Sequence, residues 1–279
     1  MAFLALHQVG LGSWAVPSTR PAAVPSTRPA AAARASAADF DEIEACNTVV
    51  GASSISELSK VLQGQLAGST PPRYVFFDVD ECLVMPEAPF IDGLPGSDAL
   101  VRKLTLCGEA VMSTLRARMV EAYYSAPIRM VDDDLPDLIS HLRFRGVFVY
   151  GLTSRGRTLD INWHNHRVVD ALLSHRVRFS ELPAEHMGRD GVNTKAGGIL
   201  YAGGEHVNKA ILMNRLTGGV APATLIDNSA GKLFKATSFG RSCVHGVHFT
   251  AAWAREASDS ERRRWIRELS VGDDEVFGI

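Results

Sequence analysis

Two aspartates one residue apart close an apolar run in the stretch Tyr-Val-Phe-Phe-Asp-Val-Asp at 74–80. Side chains two apart in an extended chain point to the same side, so Asp78 and Asp80 are expected to stand together behind four apolar residues. Like charges in a partly buried place raise each other's pKa unless a cation or hydrogen bonds compensate. A hard ion that takes oxygen ligands, magnesium above all, is an economical counterion. Capping a following helix would need only one of the two acids.

Three further positions carry compatible chemistry. Thr153 closes the apolar run 147–153 and is followed by Ser154 and Arg155, so hydroxyls and turn amides there can hold anion oxygens, although such turns also cap helices generally. Lys209 falls in the first turn of an expected helix, where the dipole disfavours a cation. An anionic neighbour, the Asp78 carboxylate or a bound phosphate, would account for that broken rule. Asp227 closes Thr-Leu-Ile at 224–226, and with Asn228 beside it offers further oxygen to the same cation, or an Asx turn.

These residues act together only if the chain delivers them to one edge. Ile55, Leu58, Val61, Leu62 and Leu66 have helical spacing behind a serine cluster, which predicts a helix over 53–66. The apolar run 74–79 predicts a strand buried on both faces. A loop over 86–95 and one long helix or two over 97–124 follow as an insertion between the first and second core strands. A helix over 135–145, with three aspartates before it and Pro136 in its first turn, leads into a strand over 147–153. Beyond it the pattern predicts a helix over 158–173, strands at 177–179 and 199–202, a helix over 207–216, a strand at 224–227 and a last strand over 242–247. Alternating strands and helices predict a doubly wound parallel α/β sheet. All four chemical positions then sit at the carboxyl ends of strands or the starts of the next helices, where open α/β sheets bind ligands.

Composition narrows the classes. The 279 residues hold 29 Lys and Arg against 31 Asp and Glu, a formal charge of −2, and no basic tract. Neither a nucleic-acid nor an acidic-lipid partner is expected. No window approaches the ~20 apolar residues of a membrane-spanning helix, so the chain is expected to be soluble. Cys46, Cys82, Cys107 and Cys243 show no CxxC spacing and are read as reduced thiols. Residues 1–38 repeat Val-Pro-Ser-Thr-Arg-Pro-Ala, contain three arginines and no acid, and read either as a transit peptide, which would make the location organellar, or as a low-complexity tail of a cytoplasmic protein.

In its order of Asp-x-Asp after a strand, Thr after a strand, Lys opening a helix and Asp after a strand, the region 74–247 resembles the haloacid dehalogenase (HAD)-like superfamily. It is most similar to the superfamily's phosphatases with a helical cap inserted between the first two motifs, here at about 85–129, including poorly characterised bacterial members. The resemblance implies a Rossmannoid fold and magnesium-dependent hydrolysis of a small phosphorylated molecule through an aspartyl phosphate. It implies that Asp78 is the nucleophile, that Asp80 protonates the leaving oxygen and then deprotonates the attacking water, that Thr153 and Ser154 bind phosphate, and that Lys209 neutralises charge. Magnesium would be held by Asp78, Asp227 and the backbone carbonyl of Asp80, with Asn228 as a further oxygen. Cys82 stands where the family pattern usually has Thr or Val, and Asn228 where a second acid is common. Two rivals stay open: a HAD-like binding protein with little or no turnover, and a phosphotransferase of the mutase kind.

Overall fold

The computed structural model describes residues 47–86, 126–155, 162–203, 207–238 and 243–253. The expected leader at 1–38 and most of the expected cap lie outside the described residues. The elements are β1 (Val49–Ala52), α1 (Ile55–Ala67), β2 (Tyr74–Phe77), β3 (Val84–Pro86), β4 (Ile128–Met130), α2 (Leu135–Phe144) and β5 (Phe148–Thr153). They continue with α3 (Asn162–Ser174), β6 (Gly191–Thr194), β7 (Gly197–Tyr201), α4 (Lys209–Thr217), β8 (Ala223–Asp227), α5 (Ala230–Thr237) and β9 (Val244–Phe249).

Seven strands form one sheet in the order β1-β9-β8-β2-β5-β7-β6. All neighbouring pairs are parallel except β6 with β7, which is antiparallel, so the sheet is mostly rather than wholly parallel. The strands are buried on both faces because helices cover both. Leu58 and Leu62 of α1, Leu135, Ile139 and Leu142 of α2, and Val168 and Leu172 of α3 pack with Val75, Phe77, Val149 and Ile226 on one side. On the other, Leu212, Met213 and Leu216 of α4 and Leu233 and Ala236 of α5 pack with Phe76, Tyr150, Leu152 and Leu225. Alternation along β2 therefore sends Val75 and Phe77 to one core and Phe76 to the other, as the strand's period of two requires. From β2 the chain goes by way of α2 to β5 on one side, and later returns through α4 to β8 on the other, so the order reverses at β2. Such a reversal opens a crevice at the carboxyl ends of the strands.

Local signals explain the helix starts. Ser54 caps α1 by accepting from Glu57 N at 3.3 Å, while Glu57 Oε2 accepts from Ser53 N at 2.7 Å. Asn208 caps α4, its Oδ1 accepting from Ile211 N at 2.9 Å. Gly218 ends that helix with φ +66°, the left-handed conformation glycine adopts without cost.

Several features depart from the expected elements, among them strands β1, β3 and β4, which no expected element covers. The strand expected over 74–79 stops at Phe77, because the chain turns sharply: Leu83 N and Val84 N both donate to Val79 O, and Glu81 takes φ +60°. Residues 177–179 are not a strand: Val177 N donates back to Leu172 O and Phe179 N to Ala196 O, and it is the next residue, Ser180, that is bonded on both sides, to Val149 and to Gly198. The hairpin strand β6 and helix α5 were not anticipated. β3 and β4, at the two ends of the expected cap, pair antiparallel with Val84 opposite Met130 and Pro86 opposite Ile128.

Candidate active site

Asp78 follows β2 directly, and its backbone N–H donates to Ile226 O of β8 at 2.8 Å. That bond extends the β2–β8 pairing by one residue and sets Asp78 beside Asp227, the last residue of β8. Lys209, the first residue of α4, reaches in between them. Its Nζ lies 2.6 Å from Asp78 Oδ1 and donates to Asp227 Oδ2 at 2.6 Å. The three groups are 2 %, 0 % and 4 % exposed for Asp78, Asp227 and Lys209, so this is an ion cluster withdrawn from water. The misfit of a lysine in a helix's first turn is explained by the two carboxylates it meets.

Burial has electrostatic consequences that can be ordered. Loss of solvation pushes the Asp78 carboxyl up to about 7, outweighing the downward pull of Lys209, and the charge of Asp227 adds to the rise. Burial alone would lower Lys209, but Asp78 and Asp227 overcome it and hold the ammonium above its ordinary value. The remaining oxygens are engaged differently. Asp227 Oδ1 accepts from Ser229 N at 2.8 Å, the Asx turn that the sequence allowed, while Asp78 Oδ2 faces Lys232 Nζ at 3.7 Å.

Asp80 sits slightly apart, over the end of β5. Thr153 Oγ1 donates to its Oδ2 at 3.0 Å, and Arg155 Nε donates to the same oxygen at 2.8 Å. A second Arg155 nitrogen bonds to Asp80 Oδ1, completing a two-pronged guanidinium–carboxylate pair. Arg155 N also donates to Thr153 Oγ1 at 3.1 Å, so strand end, hydroxyl and guanidinium form one unit around Asp80. Ser154 is exposed at the same strand end. Asn228 is turned toward the neighbouring loop: its Nδ2 donates to Glu81 Oε2 at 2.7 Å, and its backbone carbonyl accepts from His248 Nε2 at 3.0 Å.

The edge thus gathers Asp78, Asp227 and Lys209 in one cluster and Asp80 and Thr153 in an adjoining one, with Ser154 and Asn228 at the margins. Two basic residues join them that the spacing arguments did not single out, Arg155 and Lys232. Arg155 stood next to the expected anion turn, so its neighbourhood was visible in the sequence although its partner was not. Lys232 gave no signal because α5 was not foreseen. Cys82 is a free thiol, wholly buried, whose pKa burial raises well above the usual range. Cys243, expected to be reduced, is instead bound in a disulfide.

Carboxylate oxygens of Asp78 and Asp227 are the donors suited to a hard cation here. Among the described residues no three His, Cys, Asp or Glu side chains gather into a complete ligand set. The described helices include none long and apolar enough to cross a membrane. No family model, no curated protein and no solved structure matches the chain.

Proposed function

We propose that the protein is a magnesium-dependent hydrolase of phosphate monoesters, HAD-like in fold and motif order, acting through an aspartyl phosphate on Asp78. The observation that carries this reading is the convergence of Asp78 and Asp227 on Lys209, with Asp80 adjoining, at the carboxyl edge where the strand order reverses. The donor chemistry fits the ion. Two buried carboxyl groups face one buried ammonium, and oxygen donors are what magnesium prefers, so a bound ion would favour the ionised form of Asp78. Asp78, Asp227 and the Asp80 carbonyl would hold it, and when bound it would offset the charge of the phosphate.

The chain's own residues do the rest. An Asp78 oxygen bonds to phosphorus as the bond from phosphorus to the ester oxygen breaks, and Asp80 gives the departing oxygen its proton. Water then attacks the same phosphorus, Asp80 takes up a proton from it, and the Asp78 carboxylate is restored as inorganic phosphate leaves. Lys209 offsets the negative charge around Asp78 and holds its oxygens in place. Thr153 and Arg155 orient Asp80. The inserted segment expected at about 85–129 would act as the cap that screens substrates.

A second reading, a phosphate-binding protein with little turnover, draws support from Arg155, whose two nitrogens occupy both oxygens of Asp80. A panel of phosphomonoesters assayed with and without magnesium, in parallel with Asp78→Asn, separates the two. Hydrolysis is expected that needs the metal and falls to background in the variant. Turnover surviving Asp78→Asn removes the covalent mechanism, and phosphate binding without any turnover favours the second reading.

A further inference from the structure

We infer that Lys232, which the motif order does not assign, is the residue that receives the substrate's phosphate, and that Lys209 is the fixed counterion beneath it. The inference rests on the phosphohydrolase reading above and divides two roles between two lysines.

Lys209 is committed. Two of its three N–H donors are spent, one on each buried carboxylate at 2.6 Å, and the residue is 4 % exposed. A phosphate would have to displace a carboxylate to bond it well. Lys232 differs in three respects. Its Nζ stands 3.7 Å from Asp78 Oδ2, beyond hydrogen-bond length, so its donors are not spent on that oxygen. Its side chain is 39 % exposed while that of Asp78 is 3 % exposed, so it reaches from solvent down to the nucleophile, and an arriving phosphate meets it first. It also lies in the first turn of α5, where the helix dipole opposes a cation, whereas Lys235 of the same helix lies in the last turn, where the dipole favours one.

A phosphate dianion placed against Asp78 resolves these features together. It supplies an anion within hydrogen-bond reach, which the Asp78 carboxylate at 3.7 Å does not, and Lys232 screens the repulsion between phosphate and carboxylate at the point of approach. The ligand class is a phosphate monoester, or inorganic phosphate as its product.

Wild-type protein, Lys232→Met and Lys232→Arg can be compared in two measurements, both with magnesium present: calorimetric titration with inorganic phosphate, and steady-state hydrolysis of p-nitrophenyl phosphate. Lys232→Met should weaken phosphate binding and raise KM by about tenfold or more, the worth of one charge-assisted hydrogen bond, with Lys232→Arg recovering most of the loss. The melting temperature should barely move, because the side chain is partly exposed and stands beyond hydrogen-bond length from Asp78. Phosphate affinity and KM within about twofold of wild type in Lys232→Met would overturn the inference while leaving the Asp78 chemistry standing, as would a fall in kcat alone. A wild-type protein that neither binds phosphate nor hydrolyses the ester takes down both this inference and the reading it rests on.

Discussion

Asp78 is the residue on which the local physics concentrates. Its carboxyl is raised by burial from 3.8 to about 7, so the folded protein keeps a proton that the unfolded chain releases at lower pH. A group of that kind contributes its full stability below the unfolded value and loses it as pH rises through the folded one. Asn has nearly the shape of the protonated acid and cannot ionise. In metal-free buffer the stability of wild type relative to Asp78→Asn should therefore decline between about pH 4 and about pH 7 and level off above, read as the difference in melting temperature across the series. A difference that does not vary with pH would mean that Asp78 is not desolvated as described. Magnesium should reduce this decline, since the ionised carboxylate then has a second counterion.

At the level of elements, the cluster depends on the helix that carries Lys209. Asn208 satisfies a backbone N–H at the start of α4 and fixes the turn from which Lys209 enters the site. Asn208→Ala should cost about 1 kcal/mol of stability, as the loss of an N-cap does. Because Lys209 is the adjoining residue, turnover in the proposed phosphatase reaction should fall in the same variant, whereas the equivalent change in the remote α1 cap, Ser54→Ala, should cost similar stability with that turnover unchanged. Equal effects of the two on turnover would show that α4 does not position the lysine through its cap. The hairpin β6–β7 illustrates a different constraint. A Cβ on Gly191 would lie 2.4 Å from Ile199 O, so the strand pair closes only with glycine there.

For the whole molecule, the sheet is a shared wall between two cores, and the site sits at its edge. Phe76 is fully buried on the α4–α5 side and lies opposite Tyr150 in the β2–β5 register, their rings 5.9 Å apart. Phe76→Ala should destabilise by about 3–5 kcal/mol, measured by denaturant unfolding, since a cavity opens beneath two strands at once. The same variant should lose activity at temperatures where it is still folded only if the shift reaches Asp78, two residues along the chain.

Much of this architecture was legible in the residues themselves. Apolar runs ending in Asp or Thr marked β2, β5 and β8, and helical spacing with serine and proline at the starts marked α1 and α2, because these signals are local. The four chemical positions were readable for the same reason, each lying where a strand stops. What the order of residues did not disclose depends on approach across distance: Arg155 finds Asp80 from 75 residues away, Lys232 meets Asp78 from an unforeseen helix, and β6 exists because Gly191 lets two backbones close. Partners of that kind are chosen by packing and charge only after the strands have ordered themselves, so tertiary structure alone decides them.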